Sequence, residues 1–322
     1  MTRTVIRRHF QITWGTGRRV KTYLLATIFC LSAVPAFGSP IFVPTFTAAF
    51  NSNFGANAAT AQAAWIAAAN SFASAFTDNI HINITVDAVA GTSLFGMSNT
   101  PIFSISYGNL YNAALQDATS ADDAASTGLG GSFGGTGTPG SVSDPIAGNH
   151  NWWVTRAQRK ALGLSADDST TDGTTTFGAG FVYTFFGAVQ PGTYDFQGVV
   201  THEISEVMGR FGLCGSVVSG VPGYTLMDAF SFSGASIRNT GNGTNANFSI
   251  DSGNTLLKGF NPQTLNGGDC RDWASGTNDA FNSFAATSVA NPVTGVDLRM
   301  TDVIGYDLVV IAKKRRGQVT SQ

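Results

Sequence analysis

Val200-Thr201-His202-Glu203-Ile204-Ser205-Glu206-Val207-Met208-Gly209-Arg210 is the stretch that organises the rest of the chain. Phe196, Val199, Val200, Ile204, Val207, Met208 and Phe211 recur mostly at steps of three and four residues, which draws one apolar stripe along a helix. Pro191-Gly192-Thr193 is a turn signal ahead of it, and Gly209 and Gly212 follow, so the spacing predicts a helix over residues 196–210. Residues four apart on a helix stand one above the other, so His202 and Glu206 can reach one ion from the same face. Glu203 lies one step round, beside the open position of such an ion, where a base that activates a bound water belongs.

Residue usage sharpens the reading. The chain has 322 residues, with 20 acidic and four histidine residues; only two of the acidic ones are glutamates, and both lie within five residues of His202. A catalytic zinc takes three protein ligands from imidazole and carboxylate and keeps one position open, so this pair asks for a third donor. The plain alternative is a solvated helix face on which His202 and Glu206 merely pair.

Outside this stretch, composition narrows the class. Charged residues make up 12% of the chain against about 25% in ordinary soluble domains, so Ser, Thr, Asn and Gly supply the solvation. Net charge is −2, and basic clusters occur only near the ends, which argues against nucleic acid as a partner. Basic residues to Lys21, an apolar run over 23–37 and the small-residue site Ala36-Phe37-Gly38 form the three parts of a signal peptide, residues 1–38. The run is too short for a stable span, so no membrane insertion is expected after cleavage and the mature chain is secreted or periplasmic. Cys214 and Cys270 remain after the signal leaves with Cys30, an even pair for an oxidising compartment, and are expected to form a disulfide.

The pattern along the mature chain reads as α+β. Residues 57–76 place Trp65, Ile66, Phe72 and Phe76 on one helical face, and residues 80–89 alternate as a half-buried strand. Residues 101–107 alternate again, 109–118 read as a short helix, and the Gly/Ser/Thr-rich residues 126–144 as a flexible surface loop. Residues 152–162 show helical spacing, 175–186 read as a strand or hairpin, and 296–310 as a closing helix. Asp167, Asp168 and Asp172 form a polar turn that could hold a structural Ca²⁺.

The helix stretch resembles the zinc helix of zincin metalloproteases, in particular secreted bacterial members reading T-H-E-I-x-E-V-M-G-R. Similar segments are Lys160-Ala161-Leu162-Gly163-Leu164, Asp172-Gly173, Tyr194-Asp195-Phe196, Leu226-Met227-Asp228-Ala229-Phe230 and Met300-Thr301-Asp302-Val303-Ile304-Gly305-Tyr306-Asp307. The resemblance touches roughly residues 45–310 and implies a zincin fold, one bound Zn²⁺ and hydrolysis of peptide bonds. Metzincins extend the motif to H-E-x-x-H-x-x-G-x-x-H; Gly209 matches the glycine, but Glu206 replaces the second histidine and Gly212 the third. No histidine follows His202. Asp228 is therefore the first choice of third ligand, with Met227 as a floor beneath the ion, and Asp272, Asp279 and His150 are the other candidates. Tyr224 is the candidate for stabilising the oxyanion, and the strand at 175–183 for pairing with an extended peptide.

The expectation is a signal peptide at 1–38, a zincin-like α+β catalytic domain at 39–310 with its cleft near 195–230, and a disordered basic tail at 311–322. Its function is that of a secreted zinc endopeptidase acting on protein or peptide, with His202, Glu206 and Asp228 on the metal and Glu203 as base. The rivals are a non-catalytic surface or adhesive module with a degenerate motif, and a glycosidase using Glu203 or Glu206 with an aspartate.

Overall fold

Within the strand His81–Val89, Ile82, Ile84, Val86 and Ala88 are buried while the residues between them reach solvent. That alternation sets the middle of a four-stranded sheet. Ile41–Phe46 pairs with it in parallel on one side, from Ile41 opposite His81 to Phe46 opposite Val86. Gly173–Gly178 pairs in parallel on the other, with Ile84 opposite Gly173. Gly96–Asn99 then closes the sheet antiparallel, Gly96 opposite Phe177 and Asn99 opposite Thr174. Among the described residues no strand pairs with its outer side, so it is termed the edge strand. The structure is a computed structural model that describes residues 38–309, apart from 129, 135, 136, 139, 140, 242–245 and 275. Residues 1–37 of the expected signal peptide and the basic tail at 311–322 lie outside the described residues.

Two helices pack side by side on this sheet, the alanine-rich Ala58–Ala73 and the site helix Phe196–Val207. Ala61, Ala64, Ala68 and Ala69 are buried, and such small side chains let a helix sit close to its neighbours. Trp65 is fully buried, with its ring on Phe46, and donates from Nε1 to Thr175 Oγ1 at 3.3 Å. Truncating a core aromatic of this kind typically removes about 3–5 kcal/mol.

Residues 152–162 differ from the helical reading. Asn151–Thr155 is a strand, and only Arg156–Ala161 is helical. Trp152, Trp153 and Val154 are all buried because the strand lies between Ile102–Ile105, antiparallel, and Val221–Tyr224, parallel. A strand covered on both faces has no alternation to reveal it. The expected loop at 126–144 also packs in part: Phe133 is buried, and Tyr107 Oη donates to its carbonyl.

Below the main sheet, Ser231–Gly234, Ile237–Arg238, Asn247–Phe248 and Lys258–Gly259 form a small antiparallel sheet. Largely irregular chain from 260 to 294 leads into the last helix, Gly295–Val303. Trp273 is anchored there by its Nε1 on Asp297 Oδ1 at 2.6 Å. Where this end packs against Ala121–Thr127, the carboxyls of Asp78, Asp117, Asp123, Asp302 and Asp307 gather. The architecture is α+β with several mixed sheets. No helix among the described residues is long and apolar enough to cross a membrane.

Candidate metal centre

Both ends of the site helix are fixed locally. Asp195 caps its start, accepting from Gly198 N at 3.2 Å, while its other oxygen accepts from Asn291 N at 2.9 Å. At the far end Gly209 N donates to Glu206 O and Arg210 N to Ser205 O, both at 3.0 Å, a Schellman turn that Gly209 permits with φ 115°. Phe196, Val199, Val200, Ile204, Val207 and Met208 are buried, as the stripe predicts.

That stripe leaves His202, Glu203 and Glu206 facing the edge strand and a cleft of about 610 Å³. His202 Nδ1 donates to Ala280 O at 2.9 Å, which turns Nε2 toward the neighbouring carboxylates. Nε2 stands 3.4 Å from Glu206 Oε1 and 3.6 Å from Asp272 Oδ2. Ligand atoms of His202, Glu206 and Asp272 all lie within 4.8 Å of one another. Donors about 2 Å from a tetrahedral ion stand about 3.3 Å apart, so the imidazole and two carboxylates fit a zinc-sized divalent ion.

The edge strand completes one wall. Ser98 Oγ donates to Glu206 Oε2 at 2.7 Å and leaves Oε1 facing His202 Nε2. Two residues earlier Gly96 has no side chain, and the space is filled by the Glu203 carboxyl. A strand repeat of two therefore matches a helix repeat of three: Gly96 lies against Glu203 and Ser98 against Glu206.

The carboxylate that stands beside His202 and Glu206 is that of Asp272, not of Asp228. Asp228 is fully buried, and its carboxylate accepts from Arg271 Nε at 2.9 Å, Thr225 N at 2.9 Å and Leu213 N at 3.1 Å. It caps the short helix Leu226–Ala229 and anchors the neighbour of Asp272. Three consecutive residues are cross-linked in this way. Cys270 is disulfide-bonded to Cys214, Arg271 pairs with Asp228, and Asp272 pairs with Arg210 at 2.5 Å. Gly212 makes room for them, since a Cβ there would lie 2.0 Å from Arg271 Cγ. The segment that carries Asp272 thus packs directly on Gly212.

Charges in the ion-free site are tightly linked. Burial pulls the His202 imidazole down, but Asp272 and Glu206 outweigh it and carry it up to about 10. Burial also works against ionising Glu206, yet contact with His202 and the charges of His202 and Arg210 hold it down to about 2. Glu203 has no such partner: burial first, then the Glu206 charge, push it well above the usual carboxyl range. A divalent ion held here would favour the Glu203 carboxylate, since it would bring positive charge beside it.

Other expected residues lie elsewhere. Tyr224 does not line the cleft; its ring packs on His150 and Trp152, at 5.2 and 6.2 Å between centroids. His150 bonds to Asp144 at 3.1 Å, and Asp279 lines the cleft but holds Lys258 and Thr294. Met227 is buried and does not line the cleft. Asp167, Asp168 and Asp172, the polar turn considered for a structural Ca²⁺, gather around a cation of the chain itself. The buried Lys160 ammonium already stands among them, at 3.7, 3.8 and 2.8 Å. Gly173–Gly178, part of the segment expected to bind peptide, is interior to the sheet; among the described residues the outer strand next to the cleft is Gly96–Asn99. The sequence reading passed over Gly96, Ser98 and Arg210 as parts of the site; the closing Arg210 of the quoted motif was the available signal for one of them.

Searches against protein families, curated proteins and solved structures find no match to this chain.

Proposed function

We propose that this protein is a zincin-type, zinc-dependent endopeptidase that works outside the cytoplasm on extended segments of protein substrates. The observation that carries the reading is the convergence of His202 Nε2, Glu206 Oε1 and Asp272 Oδ2 in a cleft, with the buried Glu203 carboxyl beside them. A Zn²⁺ held by these three atoms supplies Lewis acidity toward the scissile carbonyl and toward water. Glu203 takes the proton of the attacking water and passes it to the departing amine. His202 keeps its orientation through Ala280, and Ser98 keeps that of Glu206.

Substrate placement follows from the free edge. An extended peptide added to Gly96–Asn99 finds unpaired backbone groups and passes over Glu203 and Glu206. On one side the 610 Å³ cleft is walled by Phe95, Phe181, Tyr194 and Val199, which suits a large apolar side chain. On the other a second cavity of about 370 Å³ shares Ser98, Glu206, Asp269 and Asp272 and continues to Leu213 and Ser216. A groove running past the ligands in both directions favours cleavage within a chain over trimming of an end.

The test is metal analysis together with a casein digest. The purified protein should hold one zinc, lose activity to a chelator and regain it with Zn²⁺. Glu203→Gln should lower turnover by about 10²–10⁴-fold while keeping the zinc. A protein that purifies without a divalent ion, with Glu203→Gln indistinguishable from the parent, is the non-catalytic surface module instead.

A further inference from the structure

Arg210 is almost wholly enclosed, with 1% of its surface exposed, and every edge of its guanidinium is engaged. Nη1 donates to Asp272 Oδ1 at 2.5 Å and Nη2 approaches Glu206 Oε1 at 3.5 Å. Nε donates to Ser205 Oγ at 2.6 Å, and that hydroxyl donates to His202 O at 2.6 Å. The flat of the group lies 4.5 Å from the centre of the Phe281 ring. The Schellman turn at Gly209 brings the side chain back under the ligand face. One cation placed at the motif's end thus touches two of the three ligands, one on the site helix and one on irregular chain 62 residues further along.

The division of Asp272 matters most. Its Oδ1 is occupied by Arg210, and only Oδ2 faces His202 Nε2, at 3.6 Å. Two carboxylates and an imidazole are a more anionic set than three imidazoles, and two buried carboxylates side by side repel when the ion is absent. A planar fork can answer both difficulties, since it neutralises the pair and fixes the direction of each oxygen. A compact ammonium supplies the charge without the direction.

We propose that Arg210 is a positioning residue for the ion: its fork holds Asp272 and Glu206 at ligand spacing and restricts Asp272 to a single ligating oxygen. This rests on the reading of His202, Glu206 and Asp272 as an ion site and adds the residue that assembles it. The role is in the geometry of the ion-free protein, so binding and spectra test it without reference to turnover.

Arg210→Lys keeps the charge and removes the fork. Zinc affinity, measured by competition with a chromophoric chelator, should fall about 10–100-fold. The visible absorption of the Co²⁺-substituted protein should weaken as Asp272 turns bidentate or departs. In an Asp272→Asn background the same substitution should have a clearly smaller further effect, because the closer of its two carboxylate partners is already gone and only Glu206 remains. Should Arg210→Lys not fold, as judged by thermal unfolding, Ser205→Ala puts the same question: it frees one edge of the guanidinium and should weaken zinc binding several-fold with a shifted Co²⁺ spectrum. Unchanged affinity and spectrum in the folded variant, or a full loss that persists in the Asp272→Asn background, overturns the proposal. A parent protein that binds neither Zn²⁺ nor Co²⁺ overturns the function reading as well, which separates the two failures.

Discussion

A Cβ at position 96 would lie 2.2 Å from Glu203 Oε1, so the edge strand and the site helix meet there with no room for a side chain. Gly96→Ala must therefore push the carboxyl aside or lift the strand. A general base displaced by about 1 Å loses on the order of 10²-fold in rate. The expected variant keeps its zinc, because His202, Glu206 and Asp272 are untouched, and turns over casein about 10²-fold more slowly. Parent-like turnover would show that Glu203 is not the base.

Two buried aspartates separate ligation from architecture. Asp272→Asn should weaken zinc binding by at least about 100-fold while leaving a folded protein, since a ligand is removed. Asp228→Ala strands the buried Arg271 guanidinium, and breaking such a pair typically costs about 3–5 kcal/mol. Thermal unfolding with metal titration on both variants distinguishes them. A stable Asp228→Ala protein that no longer binds zinc would return Asp228 to the ligand set.

Acidity should oppose the ion. The His202 imidazole, raised to about 10 in the folded ion-free protein, must surrender its Nε2 proton before it can ligate. Apparent zinc affinity should then fall about tenfold for each unit as pH drops from about 8 to about 6. For the ion-free protein the linkage runs the other way. Its folded pKa exceeds the ordinary 6.5, so this group's contribution to stability is complete below 6.5 and is lost as pH rises through about 10. A chelator competition that is flat with pH would contradict the assignment of His202.

The carboxyl cluster at the C-terminal end sets a second pH response. Burial first, then neighbouring aspartates, raise Asp78 to about 7, Asp117 to about 8 and Asp302 to about 7. Folded chains then hold more protons than unfolded ones between the ordinary 3.8 and about 8. Stability from this cluster is complete below that window and declines as pH rises through it. Asp117→Asn should stabilise the protein by about 1–3 kcal/mol near pH 8 and leave it nearly unchanged near pH 4. Denaturant unfolding at the two pH values checks this, and an equal effect at both would exclude the cluster as the cause.

Much of the site helix was legible because its information is local. A stripe at steps of three and four, a turn before and a glycine after define a helix, and a four-residue step defines a shared face. The place of Asp272 beside His202 was not legible, since it lies 66 positions beyond Glu206 on irregular chain and is brought back by long-range cross-links. Asp228 attracted the assignment because it follows the helix closely, but a backbone cap and Arg271 already claim its oxygens. The edge strand escaped notice for a similar reason: only four residues long, with a glycine and a serine turned inward, it carries no hydrophobic alternation. Trp152-Trp153-Val154 misled in the opposite way, because burial on both faces erases the period that marks a strand.

The Cys214–Cys270 bond closes a loop across 56 positions and ends two residues before Asp272. Closing a loop of that length contributes about 4 kcal/mol in the chain-entropy model. A newly made chain with both thiols free has neither that constraint nor a firmly seated third ligand. Under the proposed function, activity should then depend on oxidation of this pair, and the chain would stay disarmed in any reducing compartment.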